Sequence, residues 1–141
     1  MTNGGGELGG YLTVRDQDIP NTLSTLDQLA YNVSTAVNTQ NNAGSDLVGD
    51  NGNAGNIFYQ PAQVAGSAAA MSVMMTDPSH IAAAGLGSGT GDNSNATAMA
   101  NLATQSIVNG QTPTNFYSSF VSQLGSTIAE VQTENTAEMR R

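Results

Sequence analysis

His80 is the single histidine of the chain, and Asp77 and Ser79 stand close enough in sequence to suggest an acid–base or nucleophilic trio. Three near neighbours at a helix start point in diverging directions and form no triad, so a surface or half-buried histidine is expected. Asp46, Asp50, Asn51, Asn53 and Asn56 gather the hard oxygen donors that Ca²⁺ takes. They miss the alternate positions of a twelve-residue calcium loop, and no glutamate closes the set with a bidentate carboxylate. Hydrogen bonds from Asp and Asn side chains to the backbone of a long turn account for them better. Met71, Met74, Met75 and Met99 could be soft copper ligands, but with one histidine and no cysteine they read as core gap-fillers. The glycines at 85, 87, 89 and 91 suggest a phosphate cradle. No lysine is present and Thr90 breaks the GxGxxG spacing, so they read as a spacer.

Beyond these residues the chain offers little reactive chemistry. Its 141 residues contain no Cys, Lys or Trp, which excludes thiol nucleophiles, Schiff-base lysines, disulfides and cysteine or two-histidine metal sites. No enzyme, cofactor or metal centre is expected. The net charge of -8, with Arg15, Arg140 and Arg141 as the only cations, repels phosphate backbones and anionic lipid, so nucleic acid is a poor partner. Only 10% of residues are charged, against roughly a quarter in ordinary soluble domains. Asn, Thr, Ser and Gln must therefore supply the polar surface, chiefly as a neutral solvated exterior. No run reaches the roughly 20 apolar residues that span a bilayer, and Met1 is not followed by a signal region. Membrane insertion is not expected.

The elements that carry these residues follow from apolar spacing. A short helix is expected over 4–18, weakened by Gly9 and Gly10. From Ile19, the residues Leu23, Leu26, Ala30, Val33 and Val37 step by four and three as a heptad seam, broadened by Leu29 and Ala36. Pro20 suits the first turn of that helix, and 41–44 supply its stop. The stretch 57–59 reads as a short strand that pairs with 70–75 as a small hairpin. Asp77 and Pro78 start one or two helical turns over 79–84, and Asp92 or Ser94 caps a helix with Ala96, Met99, Leu102, Ala103, Ser106 and Ile107 on its apolar face. Thr112 and Pro113 open the last helix, whose seam is Tyr117, Val121, Leu124, Ile128 and Val131, flanked by Phe116 and Phe120. The fold expected is mainly α: a helical bundle with two long antiparallel helices plus a small β-hairpin element. As one domain it divides into a helical part at 1–43, a loop and short β element at 44–76, and a helical part at 77–141. Both seams want helical partners, from within this chain or from segments outside it.

The order of five blocks resembles the bacterial flagellar hook-associated protein 1 family, FlgK. They are GELGGYLTVRD at 6–16, LDQLAYNVSTAVNTQ at 26–40, SVMMTDPSHIAAA at 72–84, GDNSNATAMANLATQ at 91–105 and NFYSSFVSQLGSTIAEVQ at 115–132. The resemblance covers nearly the whole chain and implies an internal, carboxyl-proximal fragment lacking both terminal helical regions. It further implies export through the flagellar secretion channel and an extracellular place in the flagellum. There the family forms the ring that joins hook to filament, touching other copies of itself, the hook protein and the second junction protein. The fragment alone is then expected to be monomeric or weakly associating. The competing expectation from the acidic, Asn-rich turn is a secreted, calcium-responsive, adhesin-like binding module without catalysis.

Overall fold

Pro20 has no amide hydrogen, and in a continuing α-helix its ring would meet the carbonyl of residue 16. The chain does not break there. In the computed structural model, which describes residues 7–89 and 91–138, α1 (Glu7–Thr13) runs through a π-helical turn (Val14–Asp18) directly into α2 (Ile19–Asn42). The amide of Ile19 reaches back to the Val14 carbonyl, five residues away, and this wider turn makes room for the proline. The expectation of a separate short helix before a fresh start at residue 19 is thus corrected to one continuous rod. Residues 4–6 of that expected helix lie outside the described residues.

After α2 the chain turns back along the helix it has just left. The amide of Gly55 donates to Asn42 Oδ1 at 2.9 Å, and Asn41 Nδ2 donates to the Gly55 carbonyl at 2.8 Å. Asn38 holds Phe58 at both backbone groups, accepting from its amide at 2.9 Å and donating to its carbonyl at 2.9 Å. Gln60 donates to the Thr35 hydroxyl, and the Asp27 carboxylate accepts from the amides of Gly66 and Ala68, each at 2.8 Å. Asp27, Thr35, Asn38, Asn41 and Asn42 share one side of α2, so the returning loop is docked by a ladder of side chains acting as surrogate strand backbone. Asp27 also supplies the anion for the first turn of α3 (Ser67–Ala70).

Residues 71–75 then come back antiparallel to 57–59. Phe58 bridges Val73, the Tyr59 amide donates to Ser72, and the Met74 amide donates to Ile57, both at 2.9 Å. That is the small antiparallel element expected from these residues. The helix expected over 79–84 is only a 3₁₀ turn (Pro78–His80), with Asp77 accepting from the Ser79 amide at 2.9 Å as anticipated. The chain extends instead at Ile81 because Asn41 Oδ1 takes the Ala82 amide, an acceptor that helix formation would have replaced.

A two-stranded antiparallel sheet pairs β1 (Gly44–Ser45) with β2 (Ala84–Gly85), Gly44 opposite Gly85. Here the sequence expectation of a spacer is wrong at its first residue. A side chain on Gly44 would lie 2.7 Å from the Ala84 carbonyl and inside the Asn95 amide, so only glycine permits the approach. α4 (Ser94–Asn101) follows and is shorter than expected, passing into a 3₁₀ turn (Leu102–Thr104). Leu102 is buried and Met99 and Ile107 are half-buried, but Ala96, Ala103 and Ser106 are exposed; the residue of α4 that enters the interior is Asn95. Its Nδ2 donates to the carbonyls of Ala82 and Gln40, and its Oδ1 accepts from Gln40 Nε2 at 2.7 Å.

A tight turn closes on Val108 and Gln111, with Asn109 in the left-handed region at φ 48° and bonded through its amide to Gln28. α5 (Pro113–Glu138) then lies antiparallel to the rod, its later turns facing residues 14–23. The mainly α architecture with two long antiparallel helices and a small sheet is therefore the one observed. Its interior is unusual in kind. Among the described residues, the buried apolar ones are Ala30, Ala54, Ala82, Leu102 and Val108, whereas Ser34, Asn38, Asn41, Ser45, Ser67 and Asn95 are buried polar groups. No buried side-chain nitrogen or oxygen among the described residues lacks a partner. None of the described helices is long and apolar enough to cross a membrane.

Candidate functional site: an open apolar groove

The two seams diverge in what they cover. Along α2, Ala30 is buried and Leu26, Val33 and Val37 are half-buried, with Leu29 and Ala36 beside them also half-buried. Toward its start the same seam opens to solvent: Ile19 is 51% exposed and Leu23 is 54% exposed. On α5 all five seam residues are exposed, from Leu124 at 38% to Tyr117 at 52%; Val121, Ile128 and Val131 fall between. Phe116 and Phe120 turn inward to half-buried positions, and Phe120 sits beside Tyr117 with ring centroids 6.2 Å apart.

The exposed ends of the two seams face each other. Val14, Ile19 and Leu23 on the rod and Leu124, Ile128 and Val131 on α5 line a groove of about 430 Å³, with Asp18, Thr22, Thr127 and Gln132 as its polar members. Large apolar side chains stand partly exposed on both walls. Val14 is a residue that sequence reasoning missed. It stands five positions before Ile19, a step that a heptad count rejects, but the π turn adds the extra residue and returns Val14 to the same face.

Away from the groove, Asp46, Asp50 and His80 come together, although 34 residues separate the first from the last. His80 Nδ1 lies 2.9 Å from Asp46 Oδ2 and 3.8 Å from Asp50 Oδ2. The other Asp46 oxygen accepts the amides of Val48, Gly49 and Asp50 at 3.1, 2.9 and 2.8 Å. Burial opposes the charge on Asp46, but the Asp50 amide, His80, and the Gly49 and Val48 amides together outweigh it and hold the carboxyl below the usual aspartate range. Of the other oxygen-bearing side chains of this turn, Asn51 Oδ1 accepts from the Ser45 hydroxyl and Asn56 Oδ1 from Asn42 Nδ2. Asp77 is engaged with Ser79, so no Asp77–Ser79–His80 trio forms.

Residues 2–59 match the family model described as the flagellar hook-associated protein FlgK helical domain. Over 54 residues the chain is 50% identical to flagellar hook-associated protein 1 of Escherichia coli (strain K12), a match covering 38% of this chain and 9% of that protein. The chain thus spans less than a tenth of that relative's length. No solved structure matches. The family model stops at 59, so the blocks at 72–84, 91–105 and 115–132 stand outside it. The comparisons lend no support to a calcium-responsive adhesin.

Proposed function

We propose that this chain, whose residues 2–59 match the model of the FlgK helical domain, serves as structural subunit body in the bacterial flagellum, at the junction of hook and filament. The observation that carries the reading is the match of the α1–α2 rod to a hook-associated helical domain, supported by 50% identity to the Escherichia coli protein. In this role the chain is exported and lies outside the cell. It catalyses nothing and needs no cofactor. Its partners are other copies in a ring, the hook protein and the second junction protein.

The groove fits this role. The relative's aligned stretch is 9% of its length, so a parent of that size carries ample chain to supply another helix. The groove also opens along the outer halves of the two longest helices, at Val14 to Leu23 and Leu124 to Val131, where a further helix can lie alongside both. Its occupant in this reading is an apolar-faced helix from elsewhere in the parent protein, seated between the exposed ends of the two seams, Ile19 and Leu23 on one wall and Leu124, Ile128 and Val131 on the other.

The test is genetic. A strain deleted for the parent gene should make hooks without attached filaments, and the parent gene should restore them. Parent protein carrying Leu124→Glu and Ile128→Glu should be exported yet restore few filaments. Normal filaments in the deletion strain would end the proposal.

A further inference from the structure

We infer that Asp46, Asp50 and His80 form a binding site for a divalent transition-metal ion of the Zn²⁺ class, tying the 44–52 turn to the 78–80 turn. The donor set has mixed hardness: one imidazole nitrogen and two carboxylate oxygens, contributed by two segments far apart in sequence. A neutral imidazole with carboxylates suits Zn²⁺, Co²⁺, Ni²⁺ or Mn²⁺, whereas Ca²⁺ takes oxygen almost exclusively.

The geometry is pre-set. Zn–N and Zn–O bonds of about 2.1 Å put neighbouring donors roughly 3.0 to 3.4 Å apart. The observed separations from His80 Nδ1, 2.9 Å to Asp46 and 3.8 Å to Asp50, bracket that span, and all three donor atoms lie within 4.8 Å of one another. Asp46 is fixed before any ion arrives. Its side chain is 0% exposed, and three amides on Oδ1 leave Oδ2 directed at His80. That is the outer-shell arrangement that orients a ligating carboxylate. Asp50 supplies the complementary part: its side chain is 52% exposed, its carboxylate accepts no hydrogen bond among the described residues, and it stands on the solvent side. Open coordination positions there can hold water. The two turns already touch through the Leu47 amide on the Ser79 carbonyl at 3.0 Å, so an ion would lock an existing contact. In a chain without cysteine it would do the work of a covalent cross-link.

The test is titration of the full chain, free of any affinity tag, with Zn²⁺ alone by calorimetry at neutral pH. Binding of one ion per chain is expected, with a rise in melting midpoint that Ca²⁺ and Mg²⁺ do not reproduce. Asp50→Asn removes an exposed ligand with no structural hydrogen bond, so it should fold as before and bind Zn²⁺ at least tenfold more weakly. His80→Asn should abolish binding. Co²⁺ should shift or broaden amide resonances at 44–52 and 78–80 and leave the α5 groove unaffected. Absence of saturable Zn²⁺ binding, or wild-type affinity in Asp50→Asn, would overturn the assignment and leave His80 and Asp46 as a simple ion pair.

Discussion

Asn41 is the point at which the fold can be struck most directly. Its side chain is 0% exposed; Nδ2 donates to the carbonyls of Gly55 and His80 at 2.8 and 3.2 Å, and Oδ1 accepts from the Ala82 amide at 2.9 Å. One residue of α2 therefore holds both the loop that runs back along the helix and the segment leading into β2. In Asn41→Ala the Ala82 amide is left buried without an acceptor, at about 1–3 kcal/mol. The two carbonyls sit at half-buried residues that water can reach, and each adds about 0.5 kcal/mol. The expected loss is about 3 kcal/mol, a large part of the roughly 5–15 kcal/mol that stabilises a domain, and about 10 °C in Tm. Urea unfolding followed by far-UV circular dichroism measures it, since the chain has no tryptophan to report. Asn53→Ala, at an exposed residue in the same loop, is the control and should change stability by less than about 0.5 kcal/mol. Asn41→Asp keeps the acceptor for Ala82 but turns an oxygen toward two carbonyls, so it should be no better than alanine at neutral pH. A loss below about 1 kcal/mol in Asn41→Ala, at unchanged m-value, would refute the view that side-chain amides dock the loop.

Gly44→Ala should cost more than the roughly 1 kcal/mol of ordinary backbone effects, because its methyl would meet the Ala84 carbonyl and Asn95; the same urea series checks it. Leu102→Ala empties a buried site and should cost about 2–4 kcal/mol, whereas Ile128→Ala on the groove wall should cost under about 1.5 kcal/mol. Equal losses at the two positions would mean the groove is already filled. Hydrogen bonds from the Ser94 hydroxyl and the Gly85 amide, against the opposing effect of burial, hold Asp92 below the usual aspartate range. A lowered folded pKa gives stability that is complete above the unfolded value of about 3.9 and lost as pH falls through the folded value. The melting-temperature gap between the wild type and Asp92→Asn should therefore be constant near neutrality and close as the solution is acidified below pH about 4.

The helices were legible in the sequence because apolar spacing records them: Pro113 opens α5 and Asn42 closes α2 where the pattern said they would. The antiparallel contact of 57–59 with 71–75 was legible for the same reason, as two short apolar runs bounded by turn residues. What pattern could not carry is the polar interior. Asn38, Asn41 and Asn95 each have an ordinary surface composition around them, and their partners lie 13 to 55 residues away. Amide hydrogen bonding has no periodicity, so an Asn-rich chain reads as solvated until the backbone it clamps is seen. The groove was half legible. Both seams were visible, but that their outer ends would face one another unfilled depends on the turn at 108–111 and on the π turn that brings Val14 into phase. Asp46 and His80 gave no hint of each other, because each had a sufficient local explanation.

The scarcity of large buried side chains has a thermal consequence. Heat capacity on unfolding rises with newly wetted hydrocarbon and falls with newly wetted polar groups, and the buried residues described are mainly alanine, asparagine and serine. Its free-energy curve should consequently be broad and flat, with a calorimetric increment per residue below the usual 12–15 cal/mol/K. A body so constituted should lose little stability across a wide span of temperature.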